Sequence, residues 1–267
     1  MSKRPIGIFD SGLGGLTVMS QVMKELPNED LVYFGDTARI PYGSKSRGAI
    51  IEFSRQISEF LLKKKVKLIV VACNTASSFA LDFLKDNLEI PIVGVIEPGA
   101  KAAIEATKTG RIGIIGTEGT VNSSSYVKAI KKSNRNEKIY QQACPLFVPL
   151  VESGWISTPI TTLIIREYLK ALKKAGIDTL ILGCTHYPLL KGGIQKAMGK
   201  EVRLIDSASA TAKSVAKLLK DKGLRNIGAK KARYSFFVSD SPEKFQKLGQ
   251  QFLGKAIKNV KKVNLDE

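Results

Sequence analysis

Short runs rich in Ile and Val alternate with longer amphipathic stretches along almost the whole chain. The apolar runs cover residues 5–9, 31–34, 66–72, 92–96, 112–115, 179–182 and 202–205. They are short, bounded by turn residues and continuously apolar, the pattern of strands buried on both faces. Between them, stretches such as 48–64, 160–174 and 210–222 place apolar residues at helical spacing. Strand–helix alternation of this kind predicts an α/β protein with a parallel sheet covered on both sides. Ligands of such sheets bind beyond the carboxyl ends of the strands. Pro91 opens one strand, and Gly110 and Gly176 follow helix-like runs, where a C-terminal glycine belongs.

The pattern partly repeats. Residues 67–77 read KLIVVACNTAS and residues 179–188 read TLILGCTHYP. Residues 95–100 (VIEPGA) and 204–209 (LIDSAS) form a second pair in the same order, about 110 residues apart. Any two βα junctions look somewhat alike, so chance likeness and internal duplication both stay open.

With 267 residues, the chain has room for one large or two modest domains. No Pro/Ser-rich linker or low-complexity segment divides it, so two domains would be joined by short crossings. No run of about 18 apolar residues and no signal-peptide pattern occurs, which predicts a cytoplasmic protein that does not enter the membrane. The cysteines are Cys73, Cys144 and Cys184, and His186 is the sole histidine. An odd count without CxxC argues against a disulfide framework or a zinc cluster, and one imidazole excludes a multi-histidine metal site. The expected metal complement is none.

The net charge of +18 is large, and residues 207–267 carry 14 Lys or Arg against 5 Asp or Glu. An acidic partner such as DNA would explain it, and so would a lysine-rich solvated face. Aromatics, which nucleic-acid platforms interleave with basic residues, are sparse. The expectation is a solvated face over residues 213–262, dispensable for chemistry.

Two strand ends carry the chemistry. Cys73-Asn74-Thr75 ends one buried strand where a helix would begin, a setting whose N–H groups and dipole lower a thiol's pKa. Cys184-Thr185-His186 repeats the arrangement with the imidazole two residues from the thiol. A buried structural cysteine is the ordinary alternative for each. Cys144 also ends a strand-like run, but Pro145 rather than a helix start follows it, and it reads as structural. Two thiols facing each other across a carbon suit one reaction class: a thiolate removes a proton from one face and a thiol supplies one to the other. An amino acid's Cα–H is weakly acidic, so desolvation, placed donors and alignment must help.

Three further segments bear polar groups. Asp10-Ser11-Gly12-Leu13-Gly14-Gly15 resembles a dinucleotide loop, and Asp36 ends the second strand where a ribose-binding acid would stand. Thr17 occupies the third glycine's place, however, and Asp10 would repel a pyrophosphate. An acid there suits an ammonium group or a cysteine's proton, or it caps a helix. Residues 34–43 form a loop in which Tyr42 and Gly43 offer donors. Residues 116–120 place Thr117 and Thr120 at a helix start, either a carboxylate cradle or a plain N-cap.

FDSGLGGLTV (9–18), FGDTARIPYG (34–43), ACNTAS (72–77), GTEGTV (116–121), PLVESG (149–154) and GCTHYPLL (183–190) occur in this order. Together they resemble the glutamate racemase branch of the aspartate/glutamate racemase superfamily, over roughly residues 5–210. The resemblance implies two pseudo-symmetric, doubly wound α/β domains with mostly parallel sheets and an active site in the cleft between them. Residues 1–97 with about 207–267 would form one domain and 98–206 the other. It implies an enzyme without a cofactor that interconverts L- and D-glutamate, supplying D-glutamate for peptidoglycan. Cys73 would be the base for the D enantiomer and Cys184 for the L enantiomer. Asp10 and Ser11 would contact substrate and assist Cys73, and Glu152 and His186 would assist Cys184. Tyr42, Gly43, Asn74, Thr75, Thr117, Thr120 and Thr185 would hold the carboxylates and the ammonium group.

The chain starts without the extension some relatives carry for activation by a cell-wall precursor, so that regulation is not expected. A homodimer is expected, and DNA or gyrase binding is a conceivable second role. The rivals are an aspartate racemase, against which GLGGLTV, IPYG and Cys-Asn-Thr speak, and a basic DNA- or gyrase-binding protein, which leaves the cysteine pair unexplained.

Overall fold

The computed structural model describes residues 2–133, 136–228 and 231–265. Ten strands are present among them: β1 Ile6–Asp10, β2 Leu31–Gly35, β3 Leu68–Val71, β4 Ile92–Gly94, β5 Arg111–Gly116, β6 Lys138–Ala143, β7 Thr179–Gly183, β8 Arg203–Asp206, β9 Tyr234–Val238 and β10 Val260–Lys262. The helices are α1 Leu16–Glu25, α2 Arg47–Lys63, α3 Asn74–Phe79, α4 Leu81–Asn87, α5 Ile96–Ala106, α6 Glu118–Asn122, α7 Ser125–Ser133, α8 Phe147–Glu152, α9 Pro159–Lys174, α10 Lys191–Met198, α11 Ser207–Asp221 and α12 Pro242–Leu253.

The strands form two sheets, ordered β10-β9-β2-β1-β3-β4 and β6-β5-β7-β8, and every pairing is parallel. Side chains alternate between two cores, as strand geometry requires. Ile6, Ile8, Leu68 and Val70 face a large core that also takes in Leu180 and Leu182 of the second sheet. Phe9, Ile69 and Val71 face a second core under α2. Ile112, Ile114 and Ile181 face a third, with Ile96 and Tyr126. Coverage on both faces explains why the strands read as unbroken apolar runs.

Helix starts follow their capping chemistry. Ser46 accepts the Ala49 N–H, Thr158 the Thr161 N–H ahead of Pro159, and Asp206 the Ala208 N–H. Gly176, after α9, has φ +65°, the left-handed turn expected of a helix-ending glycine.

All seven strands expected from the sequence are present. From the sequence β9 and β10 are not expected, and β6 only as the strand-like run ending at Cys144. β6 is a half-exposed edge strand with two glutamines, and β10 is a three-residue Val-Lys-Lys edge.

The winding places the site. From β1 the chain crosses to β2 on one side and then to β3 on the other; from β5 it crosses to β6 and then to β7 on the opposite side. Each sheet therefore has a reversal of strand order beside its first strand. The local orders β2-β1-β3-β4 and β6-β5-β7-β8 match, with Cys73 beyond β3 and Cys184 beyond β7. The sequence pairs near 67 and 179, and near 95 and 204, occupy equivalent positions in the two sheets. Doubly wound sheets bind ligands at such reversals, and here two of them face one cleft.

Candidate active site

The cleft has a volume of about 440 Å³ and lies between the carboxyl ends of the two sheets. Cys73, Asn74 and Thr75 enter from the first sheet, with Ser11 and Gly12 from the turn after β1 and Tyr42 and Gly43 from the loop after β2. Cys184, Thr185 and His186 enter from the second, with Thr117 from the turn after β5 and Glu152 from the end of α8. Ile40, Pro41, Val148 and Pro149 supply apolar wall, and Lys244 of α12 stands among the lining residues. The volume and mixed lining are those of small-molecule sites. Asp10 and Thr120 are brought close but lie behind the lining.

Cys73 caps α3, its Sγ accepting the Ala76 N–H at 3.5 Å, and lies 3.8 Å from Ser11 Oγ. From the sequence this helix start is expected to lower its pKa. The opposite holds: burial, then the nearby Asp10 charge, push the thiol up to about 12. A six-residue helix contributing one N–H does not offset the loss of water around a thiolate. In the free protein Cys73 is a thiol at neutral pH.

Cys184 has different company. Its Sγ is 3.9 Å from His186 Nδ1, and His186 Nε2 is 3.1 Å from Glu152 Oε1. Burial opposes charging His186, but its hydrogen bonds with Cys184 and Glu152 outweigh burial and hold its pKa above the ordinary value. For Glu152, burial acts upward, and the hydrogen bond and charge of His186, with Lys244, bring its carboxyl below the usual range. The result is a carboxylate–imidazolium pair with its second N–H aimed at sulfur. Cys144 is buried outside this cleft, its Sγ 3.7 Å from the Gln142 carbonyl.

Asp10 is fully buried, and burial raises its pKa against the opposing pull of His186 and of the Gly12 and Gly15 N–H groups. It accepts the Gly12 N–H at 3.0 Å and the Thr185 hydroxyl at 3.5 Å, linking the turn after β1 to the one after β7. The two turns touch because Gly14 has no side chain: a Cβ there would stand 2.1 Å from Thr185 Oγ1. Thr75, Thr117 and Thr120 form a triangle of hydroxyls at 3.0, 3.1 and 3.4 Å. One side chain comes from the first sheet and two from the second.

Two contributors carry no signal in the sequence. Asp36, considered there as a ribose-binding acid, accepts the Tyr42 hydroxyl, the Ser239 hydroxyl at 2.8 Å and Arg39 Nε at 2.7 Å. It holds the 36–43 loop in shape. Lys244, exposed within the basic 213–262 region expected to be a solvated face, reaches the edge of the cleft. Neither signal was available without the tertiary contacts, since Asp36 acts through Ser239 and Lys244 sits in a helix of unremarkable composition.

Two parallel sheets of like strand order thus bring their reversals, each with a thiol beside it, to one cleft. A model of the family described as Asp/Glu/Hydantoin racemase matches residues 9–215. Glutamate racemase of Geobacter metallireducens is 51% identical over 266 residues, covering 100% of this chain and 98% of that protein. The crystal structure of glutamate racemase isoform RacE1 from Bacillus anthracis superposes with TM-score 0.96 at 41% identity, covering 99% of each chain. That of glutamate racemase from Francisella tularensis, solved with D-glutamate, gives TM-score 0.94 at 42% identity, covering 100% of this chain and 99% of that one. The chain belongs to the Asp/Glu/hydantoin racemase family, and within it to the glutamate racemases.

Proposed function

We propose that the protein interconverts L- and D-glutamate by a two-base mechanism that needs no cofactor. Cys73 takes the α-proton from the D enantiomer and Cys184 takes it from the L enantiomer, the opposite thiol returning a proton to the other face. The observation that carries this reading is the pair of thiols at equivalent strand ends of two alike sheets, opening on one cleft. Their surroundings suit the work. Ser11 and Asp10 stand beside Cys73, and the Glu152–His186 pair stands beside Cys184. Thr75, Thr117, Thr120 and Thr185, with Asn74 and the Tyr42–Gly43 turn, supply donors for two carboxylates. The apolar wall limits water, which strengthens those contacts.

The division into residues 1–97 with 207–267, and 98–206, belongs to the same reading. So do a cytoplasmic location, a homodimer and D-glutamate supply for peptidoglycan. Among the described residues no helix is long and apolar enough to cross a membrane. DNA or gyrase binding remains a second role to test by a salt-dependent mobility shift.

The deciding experiment is deuterium wash-in at Cα of each enantiomer in heavy water, without added cofactor. The expected result is an opposite enantiomer that carries deuterium from its first formation. Glutamate recovered without exchange, or exchange only after pyridoxal phosphate is added, would overturn the proposal.

A further inference from the structure

Asn74 lines the cleft, is 3% exposed, and its Nδ2 has no hydrogen-bond partner among the described residues. A buried amide donor without a partner is costly unless a ligand completes it. Its other end is occupied. Asn74 Oδ1 accepts the Tyr126 hydroxyl at 2.8 Å, and the Ser207 side chain lies beside the same hydroxyl. Tyr126 lies in α7, does not line the cleft, and is fully buried. Burial pushes its pKa up, so it stays a donor at any physiological pH.

The ring has a second contact. A Cβ at Gly183, the residue before Cys184, would stand 3.2 Å from the ring's Cε2, and one at Gly99 would stand 3.2 Å from its hydroxyl. The absent side chains leave the space that the ring fills. Tyr126 thus touches the turn bearing Cys184 with its edge and the turn bearing Cys73 with its hydroxyl.

We propose that Tyr126 is a positioning residue: its hydroxyl fixes the Asn74 amide so that Nδ2 donates to a substrate carboxylate, while its ring sets the spacing of the two thiol-bearing turns. The inference rests on the glutamate reading for the ligand alone. An amide has its donor and acceptor on opposite sides. Engaging Oδ1 from behind therefore leaves Nδ2 the cleft. Freed from Tyr126, the amide can rotate and present its carbonyl to an anion, which repels it.

Tyr126→Phe keeps the ring and removes only the hydroxyl. The expected kinetic result is a KM for both enantiomers raised about tenfold with kcat within about threefold, the size of one hydrogen bond to a charged group. In an Asn74→Ala background the same change should alter KM by less than about twofold, because its effect runs through Asn74. A second readout needs no turnover. The Asn74 side-chain ¹⁵N–¹H₂ resonances, identified by their absence in Asn74→Ala, should move in Tyr126→Phe. Ser207→Ala, which loosens the same chain from further away, should move them less and in the same direction, and it serves if Tyr126→Phe does not fold. Unmoved resonances, or an equal loss in both backgrounds, overturn the proposal. Moved resonances in a protein that leaves glutamate unexchanged would uphold the positioning and overturn the substrate reading.

Discussion

Cys73 should resist alkylation at neutral pH far more than an ordinary thiol. Its sulfur is buried, accepts one backbone N–H and faces the Asp10 carboxylate. A pKa near 12 in place of the ordinary 9.0 lowers the thiolate fraction at pH 8 from about one in ten to about one in ten thousand, equivalent to about 4 kcal/mol. The assay is iodoacetamide labelling across about pH 7 to 10.5, with modification at each cysteine followed by peptide mass spectrometry. The pH dependence matters rather than the absolute rate, since burial also slows the reagent. The Cys73 rate should climb tenfold per pH unit with no plateau in that range. Asp10→Asn removes the second-largest upward cause and should speed labelling at every pH. A plateau below about pH 9.5, or indifference to Asp10→Asn, would refute the reasoning. In the proposed mechanism this resting thiol is the proton donor needed for the L enantiomer.

Neither Cys73→Ser nor Cys184→Ser should racemise glutamate. Cys184→Ser should still eliminate halide from a D-configured β-halo analogue and Cys73→Ser from the L-configured one, and a mutant acting equally on both would refute two separate bases. Glu152→Gln removes a group that raises the His186 pKa, so the imidazolium should be lost at lower pH. In pH–rate profiles the basic limb of the L direction should shift down with kcat reduced about tenfold, and an unchanged limb would count against the pair. Lys244→Gln should raise KM for glutamate a few-fold and flatten its dependence on salt, as expected of an exposed cation that attracts an anion; an unaltered KM would return Lys244 to the solvated face. Lys67 is fully buried and donates to Ser2 O, Leu224 O and Glu29. Lys67→Met strands the Glu29 charge and should cost about 3–5 kcal/mol in urea unfolding, while a Lys67→Met/Glu29→Met double variant recovers most of it; a single-variant cost below about 1 kcal/mol would sink that account.

Most strands legible in the sequence have both faces buried, because continuous burial writes itself as continuous Ile and Val; β8, a half-exposed edge strand, is legible through Leu204 and Ile205, and β9, an inner strand, is not, because Tyr234 and Ser235 open it. β6 and β10, at sheet edges, carry Gln141, Gln142, Lys261 and Lys262 and lack that signal. The cleft residues of the two thiol turns were legible because a Cys at a strand end followed by small polar residues is uncommon, and it occurred twice. The protonation of Cys73 was misjudged because sequence shows a helix start but not how little water reaches it. Tyr126 was invisible for a different reason. Its partners Asn74, Gly183 and Ser207 lie in three other segments, and only tertiary packing brings them to one side chain.

The matched strand orders of the two sheets bear on reaction energetics. Mirror-image molecules have equal free energy in water, so an enzyme that interconverts them must have equal kcat/KM in the two directions, whatever its site looks like. The two sulfurs here are unlike: Ser11 and Asp10 attend one, and a charged His186–Glu152 pair attends the other. Such dissimilarity can move value only between kcat and KM within each direction. A repeated scaffold starts from two half-sites of near-equal strength. The differing side chains then decide at which glutamate concentration each direction saturates, and so the maximal rate reached when one enantiomer is supplied alone.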